Sequence, residues 1–305
     1  MIQKLTRYST IRVLFLFCFL SFKSSFGQEI KNIPNGYYYN NFDGGQIGSS
    51  FTQIGATPAF AISSPAATNS LATTNGYCLN SLGNSTAGGY SLSFINQGTD
   101  LNNEPYGFEW TLLYKNTGAN PDNSDVVSNG ENAWKYWLYA ENNNLTTAKG
   151  YFLTQVGTTM YVRYKYDNST DGSHYNNLIS FDLSSLGGNN TTYAIRVQRL
   201  KRGGQFVWHL FLDTYASSAQ GKTERGGTGA YEGTVNTYGY SALLSSSTST
   251  GRFKFDEMKM YSMHLSISGA NQTSNGISNP LSAGQQNAII YGLQLDSRGY
   301  FDMYQ

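Results

Sequence analysis

Beyond its first 27 residues the chain offers three histidines, His174, His209 and His264, and one cysteine, Cys78, for nucleophilic or metal chemistry. They form no working pattern. His209 alternates with Trp208 and Leu210 as a strand residue does, and no Gly-x-Ser-x-Gly elbow occurs. Cys78, in "NGYCLNSL", has no histidine near it in the sequence and reads as a buried thiol. Zinc needs closely spaced Cys and His ligands, and these are dispersed. A phosphate-cradling Gly-x-x-x-x-Gly-Lys string is also absent.

Carboxylates and aromatics are better placed. Glycoside hydrolysis needs two carboxyl groups about 5–9.5 Å apart, which alternate positions of one strand can supply. No Glu-x-Asp-x-x-Glu string is present. Glu109 is the one acid well inside a central strand among aromatics, and neither Gly107 nor Thr111 gives it an acidic partner. A partner on another strand stays open. Sugar binding asks instead for rings that stack on pyranoses and for polar neighbours. Trp137 and Tyr139 fall opposite the expected core face of their strand, and Tyr161, Arg163 and Lys165 extend such a surface.

A third feature is "GRFKFDEMKMYS", in which Asp256 and Glu257 sit side by side inside an apolar strand. The apolar beat resumes one residue out of phase at Met258, which reads as a β-bulge. A bulge can turn an acid toward a hydrogen-bond donor or toward calcium, which favours clustered carboxylate and carbonyl oxygens. Asp43 in "NNFDGG" is the expected companion of Asp256 for a structural calcium, if the terminal strands are neighbours.

These residues need strands to hold them. "YGFEWTLLYK" sends Phe108, Trp110, Leu112 and Tyr114 to one face, and "WKYWLYA" separates Trp134, Tyr136 and Leu138 from Lys135, Trp137 and Tyr139. "TMYVRYKY" alternates too, as do "YAIRVQRL" and "QFVWHLFLD", which are joined by the hairpin signal "KRGG". Further strands are expected at Tyr37–Phe42, at Gly89–Ile95 and near Thr234–Leu243. Ten or more strands with polar turns predict two packed antiparallel sheets. Two long turn-rich segments, Asn116–Asn132 and Asp213–Thr234, read as loops.

The start of the chain has a different texture. Basic Lys4, Arg7 and Arg12 precede the apolar run Val13–Phe22, and Ser25 and Gly27 suit a cut before Gln28. Residues 1–27 therefore read as a secretory signal peptide, too short to span a membrane. They hold four of the 20 basic residues and none of the 19 acids, so 16 basic residues face 19 acids in the remainder. That balance offers no basic footprint for nucleic acid or an anionic membrane. With one remaining cysteine no internal disulfide forms, and the fold must rest on its core. Residues 28–264 read as one β-sandwich and 265–286 as a linker. Residues 287–305 read as the start of a second β domain, with further domains of the same chain expected beyond.

Several of these strings together resemble the concanavalin A-like (laminin-G-like) jelly-roll module of exported bacterial surface proteins. They are Ile195–Arg199, then Trp208–Asp213, the late Tyr238–Tyr240, the closing Phe253–Met258 and the early Phe42–Gly45. Gln198 and the "KRGGQF" turn depart from that family's usual short hairpin. The resemblance implies a two-sheet antiparallel sandwich of the lectin and glucanase type, exported to the bacterial surface or secreted. It implies no particular ligand. A non-catalytic module for a glycan or extracellular polymer, within a larger adhesin-like protein, is the leading expectation. A polysaccharide-degrading enzyme and a plain structural spacer are the alternatives.

Overall fold

The computed structural model describes residues 29–32, 37–42, 45–63, 71, 77–83, 87–92, 107–123, 127, 129–170, 174–202, 205–217, 221–231, 240–262, 272–273 and 276–277. Asp43, His264, residues 1–27 and residues 287–305 lie outside them. The expected linker 265–286 is described only at two two-residue strands, Gln272–Thr273 and Gly276–Ile277.

The chain runs through β1 (Glu29–Asn32), β2 (Tyr37–Asn40), β3 (Phe51–Ile54), β4 (Phe60–Ile62), β5 (Leu79–Ser81), β6 (Gly88–Leu92), β7 (Gly107–Asn116) and β8 (Ala133–Ala140). It continues through β9 (Gly150–Val156), β10 (Thr159–Lys165), β11 (Tyr175–Asp182), β12 (Thr192–Arg202), β13 (Gln205–Thr214), β14 (Glu224–Tyr231), β15 (Tyr240–Ser246) and β16 (Phe253–Ser262). One sheet orders its strands β1-β2-β16-β7-β12-β13-β14, with β4 and β5 beside β16. The other runs β11-β10-β9-β8-β15-β6-β3, and every pairing in both is antiparallel. This is a two-sheet jelly-roll sandwich of concanavalin A-like type.

Alternation explains why the sheets face each other. Phe108, Trp110, Leu112 and Tyr114 of β7 join Tyr193, Ile195 and Val197 of β12 and Trp208, Leu210 and Leu212 of β13 on the inner face. The second sheet answers with Trp134, Tyr136, Tyr151, Leu153, Met160, Val162 and Leu243. The rings stack across the gap: Trp110 lies 5.6 Å from Trp208, which lies 4.6 Å from Tyr151. Each such ring buries about 150–250 Å², so a disulfide-free core of this kind carries the fold.

Two departures from the sequence pattern matter. Tyr139 belongs to the core, not to the opposite face. The β8–β9 register shifts between Trp137↔Phe152 and Tyr139↔Tyr151, so Leu138 is an extra residue and Tyr139 turns inward. The segment expected as one long loop from Asp213 to Thr234 contains β14, whose glycines let it run close to β11. At Gly226, with φ +75°, a Cβ would meet Ile179 Cγ2 at 2.5 Å and the Ser180 carbonyl oxygen at 2.7 Å. Only glycine fits there. The bulge expected at Asp256–Glu257 is present: the β16–β7 register jumps between Asp256↔Leu113 and Lys259↔Thr111, and Glu257 takes φ +49°.

Candidate functional site

The hairpin β12–β13 and its neighbour β7 place polar residues in line across the outer face of the first sheet. Glu109 pairs with Gln198, and Gln198 pairs with His209, so one transverse row reads Glu109–Gln198–His209. The adjacent row reads Thr111–Arg196–Phe211–Glu224. All but Glu224, which takes its place by pairing with Phe211, are on the face opposite the core because each sits one step from an inward aromatic or aliphatic neighbour. Glu109, Gln198 and His209 are nonetheless buried, at 1%, 0% and 4% exposure.

Hydrogen bonds order this cluster. The Gln198 amide donates to Glu109 Oε2 at 2.5 Å, and the Arg196 guanidinium approaches the same oxygen at 3.8 Å. Arg196 also donates through Nε to the Gly221 carbonyl at 3.1 Å and lies 4.2 Å over the Phe211 ring. At the other end, His209 Nδ1 and Glu224 Oε1 are 2.6 Å apart, with the Glu224 side chain 38% exposed. The cluster thus runs from a buried interior toward solvent at β14.

Two polar atoms in the first row have no partner: Gln198 Oε1 and His209 Nε2, both fully shielded from solvent. Native proteins rarely leave such atoms unsatisfied, since each costs about 1–3 kcal/mol. Trp208 pairs with Ala230 and Leu210 with Arg225, so the β13–β14 register shifts at His209, where residues 226–229 of the partner strand stand against one.

Below these rows, Asp213 fixes the turn that leads into β14. Its Oδ2 accepts from the backbone N–H groups of Lys222 and Thr223 at 2.6 and 3.0 Å, and Arg225 approaches Oδ1 at 3.4 Å. Burial pulls this carboxyl upward, but the hydrogen bonds from Thr223 and Lys222 and the Arg225 charge outweigh it and hold it below the ordinary aspartate value.

The residues singled out in the sequence are distributed as follows. Glu109 lies in the cluster, and its cross-strand neighbours are an amide and a guanidinium. Its strand and that of Glu224 are three ladder steps apart, about 14 Å between backbones, and Gln198 and His209 fill the interval. Trp137 is on the outer face of the other sheet, as alternation requires, yet only 1% exposed. Ala140, Ala148 and Phe152, with Leu145 and Tyr240, cover it, so it offers no ring face to a ligand. Tyr139 offers none either, being in the core beside the buried Arg199.

Tyr161 and Arg163 do come together, with Tyr175 as a third member. Arg163 is 3% exposed and lies between the Tyr161 and Tyr175 rings, at 4.3 and 4.1 Å. Its Nε donates to Asn177 Oδ1 at 2.8 Å and its Nη1 to Asn123 Oδ1 at 3.1 Å. Lys165 Nζ donates to the Thr146 carbonyl at 2.8 Å. These partners close the patch on itself.

Asp256 is fully buried and its Oδ1 accepts from the Glu257 N–H at 2.7 Å. Glu257 Oε2 accepts from the Tyr39 hydroxyl at 3.1 Å, with Lys259 Nζ 3.6 Å away. Among the described residues no group of three or more His, Cys, Asp or Glu side chains is placed to hold a metal ion. Cys78 is buried, with its sulfur 3.2 Å from Ser63 Oγ, and burial pushes its thiol up. His174 pairs with Asp167 at the surface, away from the two rows.

Sequence reasoning missed Gln198 and His209 as site residues. The signal was there: both lie on the polar phase of alternating strands that "KRGG" joins, so their facing follows from hairpin register. Glu224 carried no such signal, because its strand is glycine-rich and irregular.

No protein-family model and no curated protein matches the chain. Among solved structures, a Shewanella oneidensis MR-1 protein of unknown function aligns over 76% of this chain and 88% of its own, at 11% identity and TM-score 0.45. The exoplasmic/lumenal domain of VIP36, solved with Ca2+ and Man3GlcNAc, aligns over 78% and 88%, at 10% identity and TM-score 0.41. A GH131 β-glucanase catalytic domain from Podospora anserina aligns over 78% and 90%, at 9% identity and TM-score 0.39. These likenesses assign no ligand and no reaction to this chain.

Proposed function

We propose that the chain is a secreted or cell-surface binding module, part of a larger adhesin-like protein, that takes a glycan or another extracellular polymer on the outer face of its first sheet. One observation carries this reading: at the His209–Glu224 end the two rows reach solvent, with the Glu224 carboxylate 38% exposed and Phe211 partly exposed beside it. A sugar there meets a hydrogen-bond acceptor and an apolar ring together. Among the described residues no helix is long and apolar enough to cross a membrane, and export rests on the signal peptide read from residues 1–27.

A second reading, polysaccharide cleavage on the same face, draws on the His209–Glu224 pair, since a carboxylate on Nδ1 orients an imidazole for proton transfer. Against it, Glu109 is engaged by Gln198 and Arg196. Two glycosidase carboxylates need open space for water or sugar between them, and here the row between is occupied.

The test is a glycan array on the secreted chain, followed by product analysis with every polysaccharide retained. Retention without new reducing ends or unsaturated products supports the binding module. Product formation that disappears in Glu224→Ala moves the assignment to the enzyme. A folded protein that retains nothing removes both.

A further inference from the structure

We propose a second site, on the rim of the Arg163 set at the outer face of the second sheet, that takes the carboxylate or sulfate group of an acidic saccharide. It lies on the other sheet from the site above and shares with that reading only the premise that the chain binds glycans. Arg163 itself is closed in, at 3% exposure between the Tyr161 and Tyr175 rings. The atoms left over belong to its partners. A guanidinium only donates, so every amide that meets it must offer oxygen. Asn177 Oδ1 accepts from Arg163 Nε at 2.8 Å, and Asn123 Oδ1 accepts from Nη1 at 3.1 Å. The Tyr175 hydroxyl donates to the same Asn123 oxygen at 3.4 Å. Flipping either amide would set N–H against N–H.

Both amides therefore direct their NH2 groups away from Arg163, and neither NH2 makes a hydrogen bond among the described residues. These groups are within reach of a ligand, because Asn177 and Asn123 are exposed and Tyr161 and Tyr175 half-exposed. Register brings them together. Arg163 and Asn177 are cross-strand partners in β10 and β11, at the irregularity between Val162 and Arg163, while Asn123 arrives from the loop between β7 and β8. Two carboxylates adjoin the patch in the sequence, and both are engaged. Asp122 accepts from the Asn132 N–H, and Asp167 holds His174 and the Ser169 N–H.

The surplus of this rim is thus two amide donor groups, each with two hydrogens. A carboxylate or a sulfate ester brings only acceptor oxygens, and hydrogen bonds to a charged group are about twice as strong as neutral ones. An acidic group in front of the amides also faces the Arg163 guanidinium behind them. A hydroxyl of a neutral sugar can accept from the same hydrogens, but without that charge. The tyrosine rings add apolar surface for the sugar beside its acidic group, and the cation between them holds both in place.

Affinity electrophoresis of the full secreted chain at pH 7.5 tests the site, with gels carrying alginate, polygalacturonate, chondroitin sulfate or a neutral β-glucan. Retention by at least one acidic polymer is expected. Asn177→Asp and Asn123→Asp each keep an acceptor for Arg163, so melting temperatures should not fall. Each replaces the outward NH2 by a carboxylate oxygen and should weaken acidic retention by about 10-fold or more. Asn176→Asp adds the same charge one residue away without touching either amide, and should keep acidic retention within about threefold.

Acidic retention equal in the folded Asn177→Asp and Asn123→Asp proteins overturns the site, and so does an equal loss in Asn176→Asp. Retention by the neutral polymer alone overturns it while leaving the binding module intact. Acidic retention that depends on Asn177 and Asn123, with nothing else retained, supports the rim and overturns the first-sheet site. No retention in any gel overturns both.

Discussion

On the outer face of the second sheet, the buried cation Arg163 is gripped by two tyrosine rings and two asparagine carbonyls, and Trp137 is roofed by the segment that carries Leu145 and Ala148. On the outer face of the first, Glu109, Gln198 and His209 are as deeply buried, yet Gln198 Oε1 and His209 Nε2 end without a partner. Both faces belong to strands of the same alternating kind. The difference lies in what each polar group meets. Arg163 is a donor-only group surrounded by acceptors and π-faces, so the set closes. The first row spends its facing donors internally and leaves two buried acceptors, and the Thr111 hydroxyl of the next row is unpartnered as well. The second sheet has an unpartnered buried atom too, Trp137 Nε1, so the contrast lies between the closed Arg163 set and the rows of the first sheet, which reach solvent at Glu224.

The contrast can be attacked from the closed side first. Trp137→Ala should cost about 3–5 kcal/mol and lower the melting temperature by roughly 10 °C, with glycan retention unchanged. Reduced retention by a folded Trp137→Ala protein would show that the second sheet shares the ligand. Arg163→Lys should cost about 2 kcal/mol, because an ammonium cannot keep the planar stack and both amide contacts together; denaturant unfolding gives the value. On the open side, His209→Phe should cost about 2 kcal/mol, because it removes the Nδ1 bond to the Glu224 carboxylate, while Nε2 has no partner to lose. That same change should reduce glycan retention about tenfold. A large fall in stability with unchanged retention would make the two faces alike.

The smallest expected effect concerns the turn beneath the open face. Asp213 titrates below its ordinary value in the folded protein, so it stabilises the fold above the ordinary aspartate range. That contribution is lost as the pH falls through the folded value. Asp213→Asn cannot titrate there. Its stability should lie below that of the unaltered protein at pH 7, and the two should converge as the pH falls through the folded value of Asp213. Melting curves between pH 7 and pH 2.5 measure this, and parallel curves would remove Asp213 from the acid limb.

Much of the architecture was legible in the residues. The period-two beat of Phe108–Tyr114 and Tyr193–Leu200 placed the core face of both strands, and the phase slip at Asp256–Glu257 announced a bulge. Glu109 was likewise marked as an acid on the polar phase of a central strand. The aromatic candidates fared differently. Trp137 was assigned to the correct face, but alternation reports facing and not exposure, and the roof over it comes from a neighbouring segment. Tyr139 was assigned to the wrong face because the β8–β9 bulge adds a residue without leaving a mark in "WKYWLYA".

By itself the sequence determined an all-β sandwich with a ring-filled core, because side-chain alternation is a local property of each strand. It also marked Glu109 as an acid on the polar phase of a central strand. Only the tertiary structure decided which of those positions share a row, since register couples residues as far apart as Glu109 and Gln198, or His209 and Glu224. It alone decided which hydrogens are already in use. Hydrogen-bond satisfaction is a property of neighbours in space, and the two acceptors left open on the first sheet come into being only when three strands are laid side by side.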